Sequence, residues 1–195
     1  MKVYKKNKLI YGVAINDLQR NVYDIVDGKT VRCPIYHSWR EMLKRCFCPV
    51  YHARQPTYIN CTIDPEWLML SNFEKWVITQ DWQGKHLDKD ILVVGNKFYG
   101  PDTCVFVSKQ LNNFLTDHGA KRGNYPIGVS WHKATKKYQA QCSNPFTGER
   151  GYLGYFDNVY DAHLAWKARK HEHALVYADM QEDERVAEAL RIRYL

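Results

Sequence analysis

Arg150, Gln139 and Gln141 carry side chains whose shapes suit base edges, and all three fall within residues 126–169. A guanidinium can bridge guanine O6 and N7, and a carboxamide can pair with adenine N6 and N7. Lys121, Arg122, Lys133, Lys136 and Lys137 surround them. Such residues would meet phosphates, set the register of binding and make affinity depend on salt. Aromatic, basic and amide side chains share short alternating runs in this stretch, a combination that suits a small sheet lying in a DNA groove.

Three strands must hold those residues. Gly128–His132 is the first run, and Tyr138–Cys142 is the second. In the second, Tyr138, Ala140 and Cys142 fall on one face and Gln139 and Gln141 on the other. Ala134–Lys137 can turn between them. Asn144-Pro145-Phe146-Thr147-Gly148 is a strong turn signal. Arg150–Phe156 is the third run. Asp157 or Asn158 then caps a helix on which Val159, Ala162, Ala165 and Trp166 recur at helical spacing. Charge agrees with this placement. The chain of 195 residues carries a formal net charge of +7. Residues 120–175 hold nine basic against four acidic residues. A nucleic-acid footprint concentrates positive charge in this way.

Gly128-Val129, Lys137-Tyr138 with Ala140, Tyr152-Leu153-Gly154-Tyr155-Phe156-Asp157 and the Ala162/Ala165 helix resemble the AP2 domain of plant transcription factors and phage integrase-like proteins. The resemblance implies a three-stranded sheet that enters the major groove. It places DNA contacts on Ser130, His132, Gln141, Ser143, Arg150 and Tyr152, and Lys137 and Gln139 join them from the chemistry above. Ser130, His132 and Ser143 stand where the plant domains carry Arg, and Tyr152 where they carry Trp. A plant-like preference for GC boxes therefore does not carry over.

Ahead of this module, Lys8–Ala14 reads as a strand, and Asp24–Arg32 as a hairpin turning at Asp27-Gly28. Ser38 precedes an amphipathic helix with Trp39, Met42, Leu43, Cys46 and Phe47 on one stripe. Asp64-Pro65-Glu66 opens a second helix, with Met69, Leu70, Phe73, Trp76 and Val77 inward. Both stripes read as core. Leu87–Val94 and Thr103–Val107 read as strands, and Ser108 caps a helix over Gln110–Leu115. No apolar run is long enough to span a membrane, and Met-Lys is followed by Tyr-Lys-Lys-Asn-Lys rather than a secretory leader. A cytoplasmic setting follows, with the six cysteines reduced. Cys46, Cys48, Cys61 and Cys104, with His52, offer no CxxC pair, so a structural zinc is not expected.

Strand, loop, strand, helix over residues 86–113, with GVAIND (12–17), WREMLKRC (39–46), EWLMLSNFEKW (66–76) and LDKDIL (87–92), resembles the HNH (ββα-metal) endonuclease family. The likeness is to phage-borne members that also carry an AP2 domain. The resemblance implies that Asp88 and Asn112 are metal ligands for Mg²⁺ or another divalent cation, and that Thr103 stands where an Asn usually braces the loop. Asp90 is a further candidate ligand. Lys89 takes the position of the general-base His. An imidazole can accept a proton from water near neutral pH, whereas an exposed lysine is already protonated there. His86, three residues earlier, is the substitute base.

The expected fold is α+β. An HNH-like region with helices spans 1–115, a linker 116–125, an AP2-like three-stranded antiparallel sheet on a helix 126–178, and a C-terminal helix 179–195. The tail stripe of Val186, Ala189, Leu190 and Arg193 either packs on the AP2-like helix or pairs two chains into a homodimer. Two functions are weighed. One is a homing-type DNA endonuclease that cuts or nicks duplex DNA with a divalent ion, Asp88, His86 and Lys89 forming its catalytic corner. The other is a degenerate scaffold, in the bacterial host's cytoplasm if phage-encoded. It would occupy DNA, or a host or phage DNA-processing protein, without cutting.

Overall fold

The computed structural model describes residues 9–116 and 124–195, in which helices alternate with several small separate sheets, an α+β arrangement. The expected linker lies largely outside the described residues. The contacts divide the chain into two compact units, Met1–Ser108 and Lys109–Leu195. The sequence had carried the first region on to residue 115.

In the first unit, Ile10–Ala14 is a turn rather than the expected strand. Tyr11 takes a positive φ of 52°, and Ile10 N–H closes onto the Ala14 carbonyl at 2.8 Å. The hairpin at 24–32 forms as β1 (Tyr23–Val26) and β2 (Lys29–Arg32), paired antiparallel across Asp27-Gly28. Helix α1 (Pro34–Phe47) starts at Pro34, ahead of the expected Ser38 cap. Proline at a first helical position costs no hydrogen bond and presets φ, which accounts for the earlier start. A short α2 (Pro49–Arg54) and a single 3-10 turn, Pro56–Tyr58, lead to β3 (Thr62–Ile63).

The second expected helix is broken. Asp64 caps a 3-10 turn over Pro65–Leu68, Met69 is extended, and α3 (Leu70–Val77) begins after it. The cause is strand-like pairing of Ile15 with Met69: Ile15 N–H reaches the Leu68 carbonyl at 2.9 Å, and Leu70 N–H reaches the Ile15 carbonyl at 3.1 Å. Met69 is consequently 43% exposed, while Trp67, Leu70, Phe73 and Val77 form the buried stripe.

Strand β4 (His86–Asp88) is far shorter than the expected Leu87–Val94. β5 (Phe98–Tyr99) runs parallel to β3, and β6 (Val105–Val107) runs antiparallel to β4. The core gathers Trp39, Leu43, Phe73, Val77, Tyr99 and Cys104, with the Trp39 indole N–H donating to the Trp67 carbonyl at 2.6 Å.

The second unit opens with α4 (Lys109–Leu115). β7 (Val129–His132), β8 (Lys137–Gln141) and β9 (Tyr152–Phe156) form one antiparallel sheet in sequence order. Helix α5 (Val159–Asp179) backs that sheet, and the Asn158 side chain caps it by accepting from Asp161 N–H at 2.8 Å. Ala162 and Trp166 are buried there. Gly128 has a φ of +80°, and a Cβ at this position would stand 2.0 Å from the Trp166 ring, so only glycine admits so close an approach. α6 (Glu184–Ile192) folds back on α5, burying Val186, Ala187 and Leu190. α4 is held in the same unit. Lys170 Nζ donates to the Phe114 carbonyl at 2.7 Å, Gln110 Nε2 to the Pro145 carbonyl at 2.8 Å, and Phe114 packs on Tyr177.

Candidate nucleic-acid interface and the Asp88 corner

Cross-strand partners in a sheet project to the same side. Val129 opposite Ala140, Tyr138 opposite Phe156 and Ala140 opposite Gly154 therefore share the face toward α5, where Ala140 is buried and Tyr138 half-buried. Ser130 opposite Gln139, His132 opposite Lys137, and Gln139 opposite Tyr155 take the other face. Ser130, Gln141, Tyr152 and Tyr155 are exposed, and His132, Lys137 and Gln139 are half-exposed. Ser143 and Arg150 are also exposed, just beyond the end of β8 and just ahead of β9.

Simple alternation would put Tyr152 and Tyr155 on opposite faces. The register shifts at Ala140/Gln141, so Gln141 meets Tyr152 while Gln139 meets Tyr155. Such a shift inserts an unpaired residue and re-aims a side chain. Gly154, at φ +129°, supplies the backbone conformation that this irregular register requires. Both tyrosines then join one row, Tyr152 to Tyr155 at 5.5 Å and Tyr155 to the His132 ring at 4.9 Å between centroids. Tyr155 was missed as a site residue by reading the sequence. Gly154 inside a strand pattern was the available signal of a bulge.

The electrostatics of this face are open. Lys137 Nζ pairs with Asp157 at 3.0 Å, but both groups are well exposed, so the pair yields easily to another anion. His132 Nδ1 lies 3.0 Å from the Thr135 hydroxyl, which sets the ring's orientation. Lys133 and Lys136 are exposed in the β7–β8 turn. Lys121 and Arg122 lie outside the described residues.

The Asp88 corner of the first unit is closed by contrast. Asp88 ends β4 because its Oδ1 accepts from the N–H groups of Asp90 and Ile91, at 2.7 and 2.8 Å. That bends the chain and stops the strand. Lys89 is 5% exposed, where the sequence reading had an exposed lysine. Its ammonium donates to Asp90 Oδ1 at 2.6 Å and to the Asn96 carbonyl. Asn96 is the clasp of this loop. Its Nδ2 donates to the carbonyls of Lys89 and Phe98, and its Oδ1 accepts from Phe98 N–H. The Thr103 hydroxyl also donates to the Phe98 carbonyl, at 2.9 Å. His86 is exposed and lies two residues from Asp88 along β4, on the same strand face.

Asn112 is half-buried on α4 and belongs to the second unit, whereas Asp88 belongs to the first. Magnesium takes oxygen ligands. Asp90 faces the Lys89 ammonium, and Asp88 Oδ1 takes two N–H groups, as a ligating carboxylate also does. Among the described residues no group of three or more His, Cys, Asp or Glu is placed to hold a metal. All six cysteines are free thiols. Burial pushes Cys46 and Cys104 up to about 12 and raises Cys61 as well, which keeps them protonated and unreactive at neutral pH. No described helix is long and apolar enough to cross a membrane. No family model, no curated protein and no solved structure matches the chain.

Proposed function

We propose that this chain is a sequence-preferring duplex-DNA-binding protein. Its AP2-like sheet lies in the major groove, and its first unit is an HNH-like scaffold that takes part in holding DNA. The observation that carries the reading is the outer face of β7–β9, where Ser130, His132, Gln139, Gln141, Tyr152 and Tyr155 stand together, exposed or half-exposed, with no helix among the described residues of their own unit packed over them. Arg150 is the residue for a guanine, Gln139 and Gln141 for adenines, and Lys133, Lys136 and Lys137 for phosphates. Binding without cutting is favoured because Lys89 is buried and paired with Asp90, a structural arrangement that leaves it no base function.

A second reading, a nicking or cutting enzyme of the HNH homing type, rests on one observation: exposed His86 shares a strand face with Asp88. A general base needs that kind of access to water. One experiment separates the two. Purified protein is incubated with labelled duplex and with supercoiled plasmid, with Mg²⁺ or Mn²⁺, beside Asp88→Ala and His86→Ala. Salt-sensitive duplex binding with intact plasmid supports the binding protein. Cleavage lost in both variants supports the nuclease. Absence of binding to any duplex refutes both.

A further inference from the structure

The outward side of α1 carries a row of cations that the first unit does not balance. His37, Arg40 and Lys44 follow at steps of three and four residues, a spacing that sets them on one helix face. His37 is exposed and Arg40 and Lys44 are half-exposed, while Trp39, Met42, Leu43 and Cys46 fill the buried side. Arg32, exposed at the end of β2, extends the row, its Nη1 lying 3.5 Å from His37 Nδ1.

The long cations rest on tyrosines. The Arg32 guanidinium carbon lies 5.9 Å from the centre of the Tyr23 ring, and that of Arg40 lies 5.4 Å from the centre of Tyr11. Lys44 Nζ lies 4.8 Å from the centre of Tyr51. A guanidinium laid on a ring uses its flat face, so its N–H edge stays free for an acceptor. Among the described residues Glu41 pairs with Lys44 at 3.0 Å, and no carboxylate pairs with Arg32 or Arg40.

An ordinary solvated face accounts for part of this arrangement, since cation–tyrosine pairs also steady a surface. It does not account for the imbalance. Like charges four residues apart on a helix, as Arg40 and Lys44 are, repel each other. A bound polyanion relieves that repulsion. From His37 to Lys44 the row runs about 10 Å along the helix, the axial rise of about three phosphates on one DNA strand. The rings beneath hold the cations in place, so less side-chain freedom is lost when an anion binds.

We propose that Arg32, Arg40 and Lys44 form a track on the first unit for the sugar-phosphate backbone of duplex DNA. The track rests on the DNA-binding reading and adds to it a grip that ignores sequence, separate from the base-reading sheet.

The test uses the full chain as wild type, Arg32→Gln/Arg40→Gln, Arg32→Lys/Arg40→Lys and Arg150→Ala. Affinity for a labelled duplex and for a scrambled one is followed across a potassium chloride series, together with the melting temperature without DNA. Loss of two phosphate contacts makes the slope of log affinity against log salt shallower by roughly 1.8. We expect that change in the glutamine variant, alike on both duplexes, with a melting temperature close to wild type. The lysine variant keeps the slope, because a point charge still meets a phosphate. Should the glutamine variant not fold, Arg40→Gln alone is read against a shallowing of roughly 0.9. An unchanged slope without the arginine charges overturns the proposal and leaves the sheet reading standing. Equal shallowing in the lysine variant also overturns it, tracing the loss to the fold rather than to charge. A slope that responds to the glutamine variant, with affinity indifferent to Arg150→Ala, keeps the track and refutes the sheet as the base reader. If wild type binds no duplex at any salt, the DNA-binding reading fails and the track falls with it.

Discussion

The outer face of β7–β9 and the Asp88–Asn96 loop both concentrate polar side chains, yet they differ in what those side chains bond to. In the loop, Asp88, Lys89, Asn96 and Thr103 bond to groups of the same loop, and Lys89 is sealed from water. On the sheet, the amides and phenols of Gln141, Tyr152 and Tyr155 project to solvent. Polar groups satisfied within the chain stabilise a conformation. Polar groups held on a rigid element and left to water are what a ligand can use. The two regions thus teach that a motif's residue types announce a site less well than their hydrogen-bond partners do.

The largest effect that would break this comparison is at Lys89. Lys89→Ala removes one member of a buried ion pair and leaves the Asn96 carbonyl short of a donor. A fully buried pair broken in this way costs about 3–5 kcal/mol. Asp90 is 43% exposed on its side chain and can rehydrate, so the expected loss is nearer about 2–3 kcal/mol. Chemical denaturation of the full chain reads it, with duplex affinity of the folded fraction within threefold of wild type. A stable Lys89→Ala protein that has lost DNA binding would reverse the contrast and make the corner the functional region.

Next in size is Arg150→Ala. A bidentate guanine contact is worth about 1–3 kcal/mol of discrimination, so affinity for the preferred duplex should fall roughly five- to a hundred-and-fiftyfold. The melting temperature should hardly move, since Arg150 is exposed. Selection from a randomised duplex pool, repeated with the variant, should relax one guanine position. A uniform loss across all sequences would place Arg150 on a phosphate instead.

The sheet was legible because its cues are local: alternation, turn residues and a helix cap each act within a few positions. Gln139 and Gln141 were assigned to the side opposite Ala140 from period alone, and the burial of Ala140 and Cys142 agrees. The errors came where a partner outside the periodic pattern, distant or near, overruled local preference. The helix expected from Asp64 breaks at Met69 because Ile15, far away in sequence, pairs with it. The strand expected to Val94 stops at Asp88 because a side chain captures two backbone donors. The position of Tyr155 depends on a register shift that alternation cannot foresee. At Lys89, residue type alone implied an exposed charge, whereas the bend of the Asp88–Asn96 loop brings the neighbouring Asp90 carboxylate and the Asn96 carbonyl onto its ammonium.

A smaller effect sharpens the sheet's side of the contrast. Tyr155→Ala should weaken duplex binding by about 1 kcal/mol, near fivefold, if the row from Tyr152 to His132 meets the DNA as a unit. Tyr152→Ala should cost a similar amount, and the double variant less than the sum, because neighbours in contact are not additive. Independent effects of the two substitutions would show that the row is not read together.

The smallest expected effect separates the two units by acid sensitivity. Burial holds the His173 imidazole of α5 below its usual range, helped by the positive charges of Arg169 and Lys170 and opposed by Glu172. Its Nε2 is buried without a partner, beside Phe146 of the loop between β8 and β9. The unfolded chain therefore takes up this proton first as pH falls. Its contribution to stability is complete above about pH 6.5 and is lost as pH falls from there through the lower folded value. Asp17 of the first unit behaves alike but in a more acidic window. Burial raises its carboxyl, yet hydrogen bonds from the Ser71 hydroxyl and N–H outweigh that and hold it below the usual 3.8. Its contribution is present above 3.8 and lost only below it. Melting followed at successive pH values should then show the second unit weakening between pH 7 and 5 while the first stays level. His173→Leu, which keeps an apolar neighbour for Phe146, should flatten that slope. A slope that survives His173→Leu would assign the acid sensitivity to another group and leave the two units alike in this respect.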